Sequence, residues 1–223
     1  MRLDRWFVTF VCKFGLEILC RIRKENWERI PDRGPLIAYS NHTGRLEVPL
    51  MYTQMLPRPA IGFAKIEVWD NKFMGWVFSL WNVIPLRRGE ADMEALHKAI
   101  AVVNQGMIFG ISPEGTRSKT GALIRAHGGT ALLALHTGAP LIPIAHWGGE
   151  NFTHNLKRFR RTDFYIRVGN MFRLDAHGEK VTKEIRQQMA DEMMYELAKL
   201  LPPEYRGEYA DLENATTKYL KFE

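Results

Sequence analysis

The run Leu36-Ile37-Ala38-Tyr39-Ser40-Asn41-His42-Thr43-Gly44-Arg45-Leu46-Glu47 sets the class of fold. Its first five residues are short, mostly apolar and β-prone, and read as a buried strand. A polar, glycine-containing loop follows at once, and Glu47 falls where a helix would start. A strand feeding a loop and then a helix is the building unit of an α/β domain, and such folds place reactive groups at strand ends. Within the loop, His42 suits a general base. If the loop folds back, the Glu47 carboxylate meets one imidazole nitrogen. That contact fixes the tautomer, leaves the other nitrogen free to take a proton and stabilises the imidazolium formed. The same two side chains also read as unrelated surface residues, because such pairs are common without a catalytic role.

Working outward, Ile61–Ala64, Met107–Ile111, Leu141–Trp147 and Phe164–Val168 repeat the buried-strand pattern. Met93, Leu96, Ile100 and Val103 recur at helical spacing, as do Leu132 and Leu135. Ile185, Met189, Met193, Leu197 and Leu200 form a longer apolar stripe, stopped by Pro202-Pro203 and read as core. Alternating strands and helices predict an α/β fold, a mixed sheet covered by helices. Three segments are expected: an amphipathic helix over 1–24, the α/β domain over 25–203 and a polar tail over 204–223 that wraps the domain or frays.

Composition narrows the class. The 223 residues are 46% hydrophobic and 25% charged, which excludes a disordered chain and a polytopic membrane protein. Cys12 and Cys20 lie in the stretch read as helix, too far apart for a bond, and make neither a disulfide framework nor a zinc site. His127, His136, His146 and His154 lack metal-ligand spacing with acidic partners and read as structural or surface residues, so no metal is expected. The net charge of +6 favours polyanions: nucleic acid, an anionic lipid surface or a phosphorylated substrate. Nucleic acid drops out because no helix-turn-helix, zinc or aromatic RNA-binding signature accompanies the charge.

The first 24 residues, MRLDRWFVTFVCKFGLEILCRIRK, contain no apolar run of the roughly 18–20 residues that a membrane span needs. On a helix, Leu3, Phe7, Phe10, Phe14, Ile18 and Ile22 share one face with Val11 beside them, while Arg2, Arg5, Lys13, Arg23 and Lys24 gather mostly on the other. Large aromatics opposite cations suit a helix lying in the headgroup region of an anionic membrane. An amphipathic helix packed on the domain fits the same pattern.

Two further clusters follow strands. In Pro113-Glu114-Gly115-Thr116-Arg117-Ser118, Gly115 lets the backbone approach a ligand and Arg117 offers a planar fork for phosphate; a turn with a local Glu–Arg ion pair fits equally. Between Lys65 and Arg88, the apolar Gly75–Trp81 is flanked by cations, as an amphiphile with a phosphate head would require, although a buried segment with solvated ends explains Trp76–Trp81 better. The basic run Leu156–Arg161 suits anionic lipid or coenzyme A phosphates, or is a solvated loop.

Together these clusters resemble the glycerolipid acyltransferase family, the bacterial 1-acylglycerol-3-phosphate acyltransferases. The family's N-H-x4-D motif is met by Asn41–Glu47, its F-P-E-G-T-R-S motif by Ser112–Ser118, its arginine after an apolar stretch by Asn82–Gly89, and its proline in an apolar strand by Pro143 in Leu141–Ala145. All four occur in order across roughly residues 30–150, and the tail Leu201–Asp211 is similar to that of family members. The resemblance implies an apolar acyl-chain tunnel and no metal, cofactor or covalent acyl-enzyme. It makes His42 the base and Glu47 its orienting acid. Lys65, Arg88 and Arg117 would hold the acceptor phosphate, Glu114, Gly115 and Thr116 would shape or support that pocket, and Pro143 its floor. Two positions depart from the pattern: Glu47 stands for Asp, which related acyltransferases of lipid A synthesis also tolerate, and Ser112 stands for Phe.

The implied reaction moves a fatty acyl group from acyl-CoA or acyl-acyl carrier protein to the free hydroxyl of lysophosphatidate, giving phosphatidate. It would take place at the cytoplasmic face of the cell membrane on a peripheral or monotopic protein. Backbone N–H groups near Gly115 or in the 41–45 loop are the expected oxyanion donors. Another lysophospholipid or a glycolipid is the alternative acceptor, and a non-catalytic membrane-binding protein is the alternative class.

Overall fold

The computed structural model describes residues 3–44, 46–87 and 92–223. At its centre is β2 (Leu36–Ser40), whose first four side chains are buried, as expected of a parallel strand covered on both faces. Around it lie β1 (Cys20–Glu25), β3 (Ala60–Lys65), β4 (Ile84–Leu86), β5 (Ile108–Ile111), β6 (Leu141–Trp147), β7 (Thr162–Val168), β8 (Phe172–Leu174) and β9 (Leu220–Phe222). The sheet runs β1-β7-β6-β2-β5-β3-β4, with β8 and β9 attached beside β6. From β6 to β4 all neighbours are parallel. β7 is antiparallel to β6, and β1 is parallel to β7. Hence β2, β3, β4, β5 and β6 all end at the edge of the sheet where β1 and β7 begin.

Helices cover both faces. Ile37, Tyr39, Phe109 and Leu141 point to one side and pack with Ala99 and Val103 of α4 (Met93–Asn104), Ala131 and Ala134 of α5 (Gly129–Thr137) and Met189, Met193 and Leu197 of α7 (Lys183–Leu200). The methionine stripe is core, and α7 ends at Leu200, two residues before Pro202. Leu36, Ala38, Ile108, Ile142 and Ile144 point to the other side and pack with Leu16 of α1 (Leu3–Leu19) and Leu50 of α2 (Glu47–Gln54). α3 (Lys72–Leu80) joins α1 and α2 through a smaller cluster of Tyr52, Val77 and Trp81. A short α6 (Phe152–Leu156) precedes β7.

The first helix is shorter than its hydrophobic pattern suggests. It stops at Leu19, and Cys20–Glu25 forms an edge strand rather than a last helical turn and a half. The cause is tertiary: Nη2 of Arg161 takes the carbonyls of Glu17 (2.6 Å) and Cys20 (2.7 Å), satisfying the helix end, and Ile22 registers against Phe164. The boundary expected at residue 24 therefore falls inside the sheet. The C-terminal segment wraps and is pinned. Glu192 accepts Thr216 Oγ1 (2.6 Å), Lys218 N–H (3.1 Å) and Tyr219 N–H (2.9 Å), and β9 extends the sheet through β8.

Domain packing of α1 uses the side opposite its aromatic stripe. Thr9 and Leu16 are buried, and Arg5 donates from Nε and Nη2 to the Tyr52 hydroxyl. Leu3, Phe7, Phe10, Val11, Phe14 and Ile18 are exposed, with Trp6, Phe10 and Phe14 stacked in sequence. Phe73 and Trp76 of α3 are exposed as well, so Gly75–Trp81 is only partly a buried segment. Among the described residues no helix is long and apolar enough to cross a membrane.

Candidate active site

The end of β2 delivers His42 and the start of α2 delivers Glu47, a buried carboxylate. Nδ1 of His42 contacts Oε1 of Glu47 directly. The second oxygen, Oε2, accepts the N–H groups of Thr43 (3.2 Å) and Gly44 (2.8 Å) and the Thr43 hydroxyl (3.1 Å). The loop thus folds back around the carboxylate. Burial pushes the Glu47 carboxyl up, but the bond from His42, the nearby His146 and His42 imidazoles and the Gly44 N–H outweigh it and hold the group below its ordinary value. An ionised Glu47 favours the proton on Nδ1 of His42 and leaves Nε2 without it.

Asn41 locks the same strand end. Its side chain donates to His146 O (2.8 Å) and accepts His146 N–H (3.0 Å), while Nε2 of His146 meets Asn41 O at 2.7 Å. His146 is fully buried, stacks on Phe164 and lies 3.9 Å from Glu47 Oε2. Burial lowers its pKa, so the imidazole is neutral and donates from Nε2 to the Asn41 carbonyl; Nδ1 has no hydrogen-bond partner among the described residues. This three-bond clasp between β2 and β6 was missed in the sequence, where 105 positions separate the partners.

The 113–118 loop meets His42 from the end of β5. Ser118 N–H donates to His42 O (2.8 Å). Glu114 is buried, and its oxygens accept His42 N–H (2.8 Å) and Ile124 N–H (3.2 Å) rather than pairing with Arg117. Burial raises its pKa to about 7, against the pull of the two backbone N–H groups. Gly115 adopts φ +65, and a Cβ there would lie 3.3 Å from His127. Its N–H goes to Ser112 O (3.1 Å), and those of Thr43 and Gly44 go to Glu47. These three expected oxyanion donors are therefore already engaged.

A cavity of about 450 Å³ opens beside His42, lined also by Glu47, Ser112 and Gly115. Small residues of the sheet, Ala38, Ala60, Gly62 and Gly110, leave it space, and Met51, Met55, Tyr52, Trp81 and Val83 wall it. Trp81 stacks on Tyr52 at 4.4 Å and donates to Thr9 of α1 at 3.1 Å, tying the wall to the first helix. Ser112 Oγ faces no hydrogen-bond partner among the described residues.

Of the described cationic candidates, Lys65 and Arg117 do not line the cavity. Lys65 ends β3 and registers with Leu86 of β4; Arg88 and Arg45 lie outside the described residues. Thr116 and Arg117 are exposed, and Arg117 has no acidic partner among the described residues. Pro143 does not form the cavity floor. It sits opposite Tyr39 on the α7 side of the sheet, where a Cβ on Gly169 would meet its ring at 2.6 Å; its neighbour Ile144 lines the cavity. Among the described residues no three His, Cys, Asp or Glu side chains gather to hold a metal.

A sheet whose strand ends carry a histidine–carboxylate pair beside an apolar cavity is the architecture of an acyl-transfer enzyme. The Acyltransferase family model matches residues 21–147, and the chain belongs to that family. It is 31% identical over 155 residues to the chloroplastic 1-acyl-sn-glycerol-3-phosphate acyltransferase BAT2 of Brassica napus, covering 66% of this chain and 44% of that protein. It is 24% identical over 211 residues to the 1-acyl-sn-glycerol-3-phosphate acyltransferase of Pseudomonas aeruginosa, covering 91% and 80%. The chain spans half or less of the length of several curated relatives it matches. The crystal structure of the 1-acyl-sn-glycerophosphate (LPA) acyltransferase PlsC from Thermotoga maritima shares the fold, with a TM-score of 0.64, 22% identity and coverage of 90% of this chain and 82% of that one.

Proposed function

We propose that the protein is a 1-acylglycerol-3-phosphate O-acyltransferase that converts lysophosphatidate to phosphatidate with an acyl thioester of coenzyme A or acyl carrier protein. The observation that carries this reading is the His42–Glu47 pair at the wall of the apolar cavity. Nε2 of His42 takes the proton of the acceptor hydroxyl as its oxygen attacks the thioester carbonyl. The tetrahedral intermediate collapses, the C–S bond breaks, and the proton passes from His42 to the departing thiolate. The thioester is already activated, so the protein supplies a base and holds two substrates in register. The cavity takes the acyl chain. Lys65 and Arg117, with Arg88 from the sequence, hold the acceptor phosphate at the rim.

The exposed aromatic face of α1, with Phe73 and Trp76 of α3, rests in the cytoplasmic leaflet and brings the cavity to its lipid substrates. A panel of acceptor lipids with one acyl-CoA donor, followed by thiol release, tests the reading. Lysophosphatidate is expected to give the highest kcat/KM. Release with another lysophospholipid or a glycolipid and none with lysophosphatidate overturns the acceptor. Loss of no activity in His42→Ala overturns the mechanism.

A further inference from the structure

The loop between α6 and β7 is built to hold an aromatic ring in solvent. Leu156–Arg161 is exposed throughout, and Phe159 is 101% exposed. Phe159 also adopts φ 53, a left-handed conformation that L-residues other than Asn and Asp rarely take. The backbone around it is tied down rather than loose. Asn155 O accepts the N–H groups of Arg158 (3.0 Å) and Arg160 (2.9 Å), and Leu156 O accepts that of Phe159 (3.1 Å). Lys157, Arg158 and Arg160 flank the ring without an acidic partner among the described residues, whereas Arg161 anchors the loop to the carbonyls at the end of α1. The register of Cys20 with Thr162 sets this loop beside the α1–β1 junction, at the sheet edge that carries His42.

We propose that residues 156–161 are a second membrane contact, in which Phe159 and Leu156 enter the acyl boundary of an anionic leaflet and Lys157, Arg158 and Arg160 meet its phosphates. The inference rests on the interfacial reading of α1 above. A cationic loop alone would suit any phosphate, coenzyme A included. An apolar ring held exposed among the cations suits a bilayer, which takes apolar and anionic contacts at adjacent depths. Two contacts at one edge set orientation as well as attachment: they turn the mouth of the cavity toward the lipid.

Co-sedimentation of the full chain with vesicles of equal parts phosphatidylglycerol and phosphatidylcholine tests this, beside pure phosphatidylcholine. Phe159→Ser is expected to weaken binding to the anionic vesicles roughly tenfold and Phe159→Trp to restore it. Replacing Lys157, Arg158 and Arg160 with Gln is expected to cost on the order of a hundredfold on anionic vesicles and little on neutral ones. Thiol release with dispersed short-chain substrates, unchanged in these variants, confirms that they fold. If the loop variants bind like wild type while Phe7→Ser with Phe10→Ser loses binding, the loop proposal fails and the role of α1 stands. If neither set changes binding, both fail. A raised KM for acyl-CoA with unchanged vesicle binding makes the loop a donor-phosphate site and overturns the proposal.

Discussion

The Glu114 carboxylate accepts the backbone N–H of His42 at 2.8 Å, so the acid of one motif holds the histidine of another. Its second oxygen takes Ile124 N–H, which leaves the side chain no free face for a substrate phosphate. Glu114 thus positions His42, and Arg117, three residues later and exposed, is a cation of that loop available to an anion.

The raised pKa of Glu114 gives a pH signature. An acid whose folded pKa, about 7, exceeds the unfolded value near 4.5 adds stability that is complete below pH 4.5 and lost as pH rises to 7. His146, with its depressed pKa, works the other way as pH climbs to its ordinary value. The difference between wild type and Glu114→Gln isolates the carboxyl. Thermal melts are expected to favour wild type at pH 5, and the gap is expected to shift toward Glu114→Gln by roughly 3 kcal/mol by pH 8. A gap independent of pH would show that Glu114 does not titrate in this window.

The proposed chemistry separates His42 from Glu47. His42→Ala removes the proposed base and is expected to lower kcat roughly a thousandfold with the fold retained, at a lower melting temperature because buried Glu47 loses a partner. Glu47→Gln keeps the side chain's length but mismatches one of its donors, and is expected to cost about a hundredfold. Glu47→Asp shortens the reach by one methylene, so it cannot hold both Nδ1 of His42 and the Gly44 N–H in place. A loss of up to about a hundredfold in kcat is expected, with KM for the acceptor little changed. Losses in Glu47→Gln equal to those in His42→Ala would assign Glu47 a structural role instead.

The cavity's small residues make opposite predictions at two neighbouring glycines. A Cβ on Gly62 would lie 2.7 Å from the carbonyl oxygen of Gly110, which cannot move without breaking the β3–β5 ladder. Gly62→Ala is expected to cost about 1–3 kcal/mol in a denaturant melt. A Cβ on Gly110 meets nothing closer than Ala60 Cβ at 3.5 Å. Gly110→Ala is expected to keep stability and to shift thiol release toward shorter acyl thioesters, because its methyl enters the cavity. An unchanged chain-length profile would remove this part of the cavity from the acyl site.

What the sequence showed, and what it hid, follows from the range of the interactions. Leu36–Ser40 and Leu141–Trp147 are legible as strands because burial on both faces demands unbroken apolar runs. The His42–Glu47 contact is legible because both ends lie in one short loop. Ile22 sits at helical spacing from Ile18 and at strand spacing from Cys20, and local pattern cannot choose between them; a guanidinium from residue 161 decides. Pro143 looked like a cavity residue, but a one-residue alternation along β6 gives that place to Ile144. The direction in which α1 turns its aromatic face was undecided for the same reason: amphipathicity does not say which side meets the domain, whereas Thr9 and Arg5 do.

The clasp between Asn41 and His146 offers a last test, since His146 Nε2 lies 3.9 Å from Glu47 Oε2, beyond hydrogen-bond distance. Asn41→Ala removes two buried side-chain bonds and leaves both backbone groups of His146 without those partners. A loss of about 2–4 kcal/mol of stability is expected. The strand end that carries His42 also loses its tie to β6, so kcat is expected to fall roughly tenfold while KM for both substrates holds. His146 needs a single donor, at Nε2, because Nδ1 is unpartnered. His146→Gln, which can supply an amide N–H to the Asn41 carbonyl, is therefore expected to retain more kcat than His146→Leu, which cannot. Equal kcat in the two variants would show that the ring's stacking on Phe164, and not its bond to Asn41, is what holds the catalytic loop.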